Sequence, residues 1–218
     1  MWKEFDTYHL SLAEQGSEEW LKLRRGILTA SDFGAACGYS KFSTPDVVAR
    51  DRSGLEPKIF DERAIAVMAH GTKTEPIARQ YYMDTYKVNV EEVGLAIWKE
   101  NPYLGASLDG DVGEGMLEIK CPLRMYYPLS KRMQSGDSST NNYNHIWPTH
   151  YAQMQGCMAI CNKKWCDYLV YATETGNVYV ERIPFNATYW QDLHTKLVDF
   201  INNKLIPCNE EYRKLQAK

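Results

Sequence analysis

The stretch SLDGDVGEGMLEIKCP, residues 107–122, contains the pattern on which the predicted fold and site depend. It places two carboxylates, Asp109 and Glu118, nine positions apart, and Lys120 follows two residues after the second. The glycine-rich segment between the carboxylates predicts a tight turn that joins two short strands. Side chains alternate along a strand, so Glu118 and Lys120 share one face while Ile119 points to the other. If the turn pairs the two strands, Asp109 reaches the face of Glu118 and Lys120.

Two interpretations of this pattern stay open on spacing alone. Asp and Gly favour turns, and Glu and Lys are common on exposed strands, so a solvated acidic hairpin needs no function. Two neighbouring carboxylates also repel one another unless a cation lies between them, and oxygen ligands suit Mg²⁺ or Mn²⁺. A calcium loop of the EF-hand type is excluded, because Glu114 stands where that loop needs glycine and Lys120 stands where it needs glutamate.

The composition indicates one globular domain over residues 1–218, with its core at about residues 15–205. Hydrophobic residues make up 44% of the chain and charged residues 24%, an ordinary globular balance. No apolar run is long enough to span a membrane, and the first residues lack a secretory signal, so we expect an intracellular protein without membrane contact. The net charge of −3 excludes a uniformly basic surface but not a local basic groove.

Six cysteines are spread along the chain without a C-x-x-C pair. We expect reduced and mostly buried thiols in a chain of this kind. Cys157 and Cys161 are four residues apart in a predicted helix and would share one face. Zinc or an iron–sulfur cluster needs two more ligands from elsewhere, so core packing is the expected role.

Helices and strands alternate in an order that predicts a mixed α/β fold, with one central mixed sheet and helices on its faces. The expected helices begin after Ser17, at a cap formed by Thr29 or Ser31, at Pro45, at Gly71 with Pro76 in the first turn, at His150 and at Ala187. The helix from Gly71 is expected to end near Tyr86, and the last helix near Leu205. The expected strands cover residues 88–98, 102–109, 115–121, 165–172 and 177–185. Residues 128–148, rich in Ser and Asn, are expected to form a long mobile loop.

Five separated blocks of the sequence, taken in order, resemble a known family. They are WLKLRRGILTAS (20–31), HGTKTEPIAR (70–79), GASLDG (105–110), LEIKCP (117–122) and HYAQMQG (150–156). The blocks resemble the PD-(D/E)xK nucleases and, within them, the phage lambda exonuclease (YqaJ-like) family of viral recombination nucleases. The resemblance covers roughly residues 15–200, and five ordered blocks are far more specific than a lone Asp and ExK. One departure is Leu108, where the family has the proline before the Asp; this position shapes the backbone rather than binding metal.

The resemblance implies a restriction-endonuclease-like core and a metal-dependent active site. Asp109 and Glu118 would bind the catalytic Mg²⁺, with the Ile119 carbonyl as a further ligand, and Glu75 would complete the acidic cluster from its helix. Two ions are expected, and Mn²⁺ is expected to substitute for Mg²⁺. Two metal ions supply a nucleophile at neutral pH and stabilise charge on the attacking and leaving oxygens, as phosphodiester hydrolysis requires.

The same resemblance assigns residues to the DNA. Lys120 would orient or activate the attacking water, and Gln153 would lie close to the phosphate. Arg24, Ser31 and Ser107 would grip the 5′-phosphate of the substrate end. A guanidinium and a helix N-terminus suit a phosphate physically. Without the resemblance, a helix cap at Ser31 and a surface ion pair of Arg24 explain the same residues.

The implied function is a Mg²⁺-dependent 5′→3′ exonuclease acting on linear double-stranded DNA. Its product would carry 3′ single-stranded tails for recombination or for a single-strand annealing protein, in the cytoplasm or nucleus of the host cell. Members of the family can form a homo-oligomeric ring around DNA, and the sequence leaves the oligomeric state open.

Three alternatives to this function remain. A structure-specific endonuclease or a Cas4-like exonuclease with an iron–sulfur cluster would use the same core. A catalytically inactive DNA-binding protein belongs to another class. The inactive protein is disfavoured because Glu75, Asp109, Glu118 and Lys120 are all retained.

Overall fold

The computed structural model describes residues 2–14, 16–135 and 143–217, in which helices and strands alternate. The strands are β1 (Trp2–Glu4), β2 (Tyr8–Ser11), β3 (Leu28–Thr29), β4 (Leu95–Trp98), β5 (Leu104–Ser107), β6 (Gly110–Val112), β7 (Gly115–Lys120), β8 (Trp165–Ala172) and β9 (Asn177–Pro184). The α-helices are α1 (Glu18–Arg24), α2 (Phe33–Ala36), α3 (Pro45–Ser53), α4 (Glu62–Tyr86), α5 (Tyr127–Ser135), α6 (Pro148–Ile160), α7 (Ala187–Phe200) and α8 (Ile206–Gln216). The mixed α/β class predicted from the sequence is confirmed.

The described strands form two mixed sheets where the sequence led us to expect one. The first has the order β1-β2-β4-β5-β3, with β3 and β5 parallel. The second has the order β6-β7-β8-β9, with β7 and β8 parallel. The chain leaves the first sheet at Ser107 and enters the second at Gly110. Asp109 therefore lies in the two-residue link between the sheets.

Two apolar clusters pack against opposite faces of the second sheet. The larger cluster contains Met116 of β7 together with buried residues of α2, α6 and α7. The smaller contains Leu117 and Ile119 of β7 together with Ala78 and Tyr82 of α4. Because side chains alternate along β7, Glu118 shares the face of Met116, and α4 covers the other face. None of the described helices is long and apolar enough to cross a membrane.

Helix α4 begins earlier than the sequence predicts, and its predicted start at Gly71 is wrong. Asp61 caps the helix, since its side chain accepts a hydrogen bond from the Ala64 N–H at 2.7 Å. Pro76, expected in the first turn, is inside the helix. The prediction gave too much weight to the preference of proline for the first turn.

The predicted loop over residues 128–148 is wrong for its first part, which belongs to helix α5 (Tyr127–Ser135). Leu129 is the one buried residue of this helix, and a single apolar contact gives too little periodicity to predict a helix. Residues 136–142 of the predicted loop lie outside the described residues. The predicted last helix also differs, because a π-helical turn, Ile201–Leu205, links α7 directly to α8.

Candidate active site

The hairpin predicted within residues 107–122 is present as the antiparallel pair β6 and β7. Gly110 is opposite Leu117, and Val112 is opposite Gly115. Gly113 has a φ of 70° in the turn, a conformation that glycine adopts without steric cost. Lys163 fixes this turn, because its Nζ donates to both Asp111 carboxylate oxygens at 2.7 and 2.6 Å and to the Gly113 carbonyl at 2.8 Å.

Asp109 and Glu118 meet on the side of the hairpin that faces the protein interior. The Ile119 N–H donates to Asp109 Oδ2 at 2.7 Å. Glu118 is 0% exposed, and its Oε1 lies 2.6 Å from Lys120 Nζ. Burial raises the pKa of Asp109, against the opposing effects of Lys120 and the Ile119 N–H. Burial also raises the pKa of Glu118 to about 7, opposed by Lys120 and reinforced by Asp109.

Glu75 adds a third carboxylate from helix α4. Burial, and next the charge of Asp109, raises the pKa of Glu75 to about 7, while Arg79 opposes the rise. Arg79 Nη2 donates to Glu75 Oε1 at 2.6 Å, and Arg79 Nε donates to the Asp109 carbonyl at 2.9 Å. A third donor, Arg79 Nη1, reaches Glu92 Oε1 at 2.5 Å. Arg79 thus fixes α4 against the backbone of the link that carries Asp109.

Lys120 joins the carboxylates to helix α6. Its Nζ donates to Gln153 Oε1 at 3.2 Å while it pairs with Glu118. Burial lowers the pKa of Lys120, but the charges of Glu118 and Asp109 outweigh burial and raise it overall. The side chain therefore remains an ammonium at neutral pH, held between the acidic cluster and Gln153.

The donor set of this cluster fits a hard divalent cation. Glu118 Oε2 is buried without a hydrogen-bond partner, which is unfavourable for a carboxylate oxygen unless a cation reaches it. The three carboxylates share two basic side chains, Lys120 and Arg79, and Arg79 also pairs with Glu92. As the side chains stand, the described part of the chain contains no group of three His, Cys, Asp or Glu residues arranged as a metal site.

The residues assigned to a terminal phosphate lie where β3 and β5 run in parallel. Thr29 of β3 is opposite Gly105 of β5, so Ser31 and Ser107 each follow two residues after that pair. Arg24 Nη2 donates to Thr29 Oγ1 at 2.8 Å, and Thr29 Oγ1 lies 3.4 Å from Ser31 Oγ. Ser107 Oγ is buried without a hydrogen-bond partner.

Arg24 has an unusual environment for a guanidinium. It stacks on the Trp20 ring at 4.2 Å, and within the described residues it forms no ion pair. The nearby Asp32 carboxylate pairs instead with Arg52 at 2.8 Å. Burial, and then the charge of Arg52, lowers the pKa of Arg24 to about 10, so the group still carries its charge at neutral pH. The surface ion pair considered for Arg24 is thus absent from these residues. The predicted cap is wrong for both candidates, because the Thr29 side chain makes no capping bond and Ser31 lies inside the 3₁₀ turn Ala30–Asp32.

The cysteines considered as cluster ligands are part of the core. Cys157 and Cys161 are buried near the end of α6, and Cys166 is buried in β8. Burial raises the pKa of each of these thiols. Buried neutral thiols among apolar side chains are typical of packing residues rather than ligands.

Sequence reasoning missed two residues that support this site, Arg79 and Lys163. Arg79 follows Glu75 by four residues in a predicted helix, and this spacing is the signal that indicates their ion pair. Lys163 binds a residue 52 positions away, so no local pattern indicates its role.

Several known proteins resemble this chain in sequence or in fold. A family model described as a YqaJ-like viral recombinase domain matches residues 19–164. The crystal structure of an alkaline exonuclease, LHK-Exo, from Laribacter hongkongensis has a TM-score of 0.71 and 26% identity, covering 92% of this chain and 99% of that one. A structure of LHK-Exo in complex with dAMP gives the same values. A phage related exonuclease from Haemophilus somnus 129PT has a TM-score of 0.50 and 13% identity, covers 88% of this chain and 95% of that one, and shows the fold alone.

One curated relative comes from a virus. An uncharacterized protein of Acanthamoeba polyphaga mimivirus is 26% identical over 163 residues, which cover 72% of this chain. The match spans only 29% of the length of the mimivirus protein. The family model, by contrast, covers most of the chain, from α1 to the residue before β8, and includes all the residues of the candidate site. The chain belongs to the YqaJ-like viral recombinase domain family, and its fold is the PD-(D/E)xK-like fold of the alkaline exonuclease.

Proposed function

We propose that the chain is a metal-dependent exonuclease that hydrolyses phosphodiester bonds of linear double-stranded DNA from a 5′ end. The observation that carries the proposal is the buried Glu118, whose Oε2 has no partner beside Asp109 and Lys120. A fully buried carboxylate with an empty acceptor costs stability, and function is the usual reason for retaining one. The similarity to an alkaline exonuclease supports the same conclusion.

The acidic cluster would hold Mg²⁺, with Mn²⁺ as a substitute and two ions in total. Asp109, Glu118 and Glu75 would supply carboxylate ligands, and the Ile119 carbonyl would supply one more. Bound ions of this type activate water and neutralise charge on a phosphate. Before the ion binds, Lys120 and Arg79 hold Glu118 and Glu75 in place.

Lys120 and Gln153 would act on the scissile phosphate from the side of α6. The raised pKa of Lys120 keeps its ammonium charged, so the group stabilises negative charge rather than accepting a proton. Gln153 orients Lys120 through their hydrogen bond and offers its amide N–H₂ to a phosphate oxygen.

Arg24, Ser31 and Ser107 would bind the terminal 5′-phosphate. A terminal phosphate carries close to two negative charges, whereas an internal phosphodiester carries one. Arg24 has one hydroxyl partner, Thr29, and no carboxylate partner among the described residues, so its charge is available to an anion. Each cleavage would leave a new 5′-phosphate for this group, which supports 5′→3′ polarity and 3′-tailed products. We also propose a single-strand annealing partner and a homo-oligomeric ring. Only the family resemblance supports these two points.

The test is digestion of linear duplex DNA that carries a label on one end, with Mg²⁺ and with EDTA. We expect progressive loss of the 5′-ended strand only with Mg²⁺. Glu118→Gln, which keeps the side-chain volume but removes the charge, serves as the inactive control. Cleavage of closed circular DNA would support the endonuclease alternative instead, and DNA binding without cleavage would support the inactive protein.

A further inference from the structure

A cavity of about 480 Å³ lies between the loop after α2 and the first turn of α6. Its walls include rings of Tyr39, Phe42, Trp147 and His150, and the Lys41 side chain lies at the same cavity. None of these five side chains has a part in the hydrolysis proposed above. The volume is in the range of small-molecule sites, which are about 300–1,000 Å³.

Two of the aromatic rings are more exposed than packing alone explains. Phe42 is 91% exposed and Trp147 is 38% exposed. Trp147 is nevertheless held in place, because its ring centroid lies 4.5 Å from that of Tyr126 and 5.2 Å from that of His150. An exposed ring supported from behind is a rigid platform on which another flat ring can stack with little loss of entropy.

The charges around the cavity favour a nucleotide. Lys41 forms no ion pair with any described residue, and the described lining residues include no carboxylate. Burial, and next the Lys120 charge, lowers the pKa of His150 to about 3, so its imidazole is neutral at physiological pH. Neutral aromatic walls beside the Lys41 ammonium, with the Lys196 ammonium on Tyr39, complement a nucleobase that is joined to a phosphate.

The position of the cavity connects it with the proposed active site. His150 precedes Gln153 by three residues on α6, which is about one helical turn, or 5.4 Å. Gln153 in turn accepts a hydrogen bond from Lys120 at 3.2 Å. The cavity and the Lys120–Gln153 pair therefore lie about one helical turn apart along α6.

We propose that this cavity stacks one unpaired nucleobase of the DNA substrate between Phe42 and Trp147, with Lys41 on an adjacent phosphate. The proposal rests on the DNA exonuclease activity proposed above and adds a second contact to the substrate strand. A stacked base would hold the strand in place after it separates from its complement, because stacking tolerates every base type.

The test compares the binding of two 5′-phosphorylated single strands of equal length, one of oligothymidylate and one abasic, in EDTA so that neither is cut. We expect wild type to bind the base-bearing strand about tenfold more tightly than the abasic strand. Phe42→Ala and Trp147→Ala should bring the ratio of the two affinities close to one, and Trp147→Phe should restore most of it. Trp2→Ala is the matched control, because Trp2 is 44% exposed on strand β1, away from the cavity.

Several outcomes would overturn the proposal. If Phe42→Ala keeps the wild-type ratio of the two affinities, the proposal is wrong. The Phe42 side chain is almost fully exposed, so the substitution is not expected to disturb the fold. If wild type degrades linear duplex with Mg²⁺ but binds both single strands equally, the assignment of the cavity to a nucleobase is wrong and the exonuclease proposal stands. If wild type neither degrades duplex nor binds either strand, the exonuclease proposal fails, and the cavity fails with it.

Discussion

The acidic cluster around Glu118 and the basic group around Arg24 each lack partners of the opposite charge. In the acidic cluster, three carboxylates share two basic partners, and one oxygen of Glu118 has none. In the basic group, the Arg24 guanidinium has only a hydroxyl partner among the described residues, and the Ser107 hydroxyl has none. One region lacks positive charge and the other lacks negative charge.

In the proposed function, these two regions bind different parts of one substrate. Burial raises the pKa of Glu118 and lowers that of Arg24. In each region, burial therefore disfavours the charged form of the side chain when no ligand is bound. We propose that a divalent cation neutralises the first region and a phosphate dianion the second, and that DNA with a 5′-phosphate and bound Mg²⁺ supplies both.

The largest effect is expected from Glu118→Gln, which removes the charge that the acidic cluster cannot neutralise. We expect turnover on linear duplex to fall by about 10³-fold or more, because a metal ligand is lost. The matched control is Glu114→Gln, the same change at an exposed position of the same hairpin, where Glu114 pairs with Lys164. Full nuclease activity of Glu118→Gln would mean that the hairpin is only a turn.

Lys120→Ala is expected to have the next largest effect. We predict a fall in kcat of roughly 10²-fold with little change in DNA affinity, because its charge acts mainly as negative charge develops. Lys164→Ala removes an exposed lysine from the segment before β8 and should leave kcat unchanged. The measurement is steady-state kinetics on 5′-phosphorylated duplex; a change in KM alone would make Lys120 a phosphate contact instead.

Arg24→Ala addresses the basic side of the contrast. We expect wild type to prefer 5′-phosphorylated ends to 5′-hydroxyl ends by about tenfold, the lower range for a charge-assisted hydrogen bond, and the variant to lose this preference. Metal binding should be unaffected. Arg25→Ala is the matched control, because Arg25 is the next residue and contacts Tyr212. Competition between 5′-phosphorylated and 5′-hydroxyl duplexes measures the preference. Equal degradation rates of the two duplexes by wild type would contradict the assignment of Arg24 to the terminal phosphate.

The smallest effect is expected from pH. In the metal-free protein, Glu75 and Glu118 titrate near 7 rather than at the ordinary 4.5. The folded state then binds more protons than the unfolded state between these values, so stability falls as pH rises from about 5 to 8. Mg²⁺ competes with those protons, so its stabilising effect grows over the same range. Thermal melting with and without Mg²⁺ tests this, and a melting temperature of the metal-free protein that rises with pH would contradict it.

The sequence places some residues of the candidate site by local pattern and others only through the family resemblance. Glu118 and Lys120 lie on one strand, so local alternation places them on one face, and Asp109 lies in the link just before the hairpin. Glu75, Gln153 and Arg24 come from distant segments, and only the family resemblance connects them to the hairpin. The family and the mixed α/β class are confirmed, whereas the roles of these residues stay predictions.

What the sequence does not predict depends on contacts between distant segments. The division into two sheets takes place at the two-residue link containing Asp109, and it depends on which distant strands pair with β5 and β7. Lys163 reaches Asp111 across 52 positions, and no local pattern indicates that pair. Helix α4 begins at the Asp61 cap, but Gly71 and Pro76 gave a stronger local signal for a later start.

The most direct test of the central claim is calorimetric titration of Mg²⁺ into wild type and Glu118→Gln near pH 7. If the acidic cluster holds the metal, wild type binds Mg²⁺ and releases protons as it does so, because Glu75 and Glu118 are partly protonated there. Glu118→Gln should bind at least tenfold more weakly and release fewer protons. Equal Mg²⁺ affinity and equal proton release in the two proteins would contradict the account.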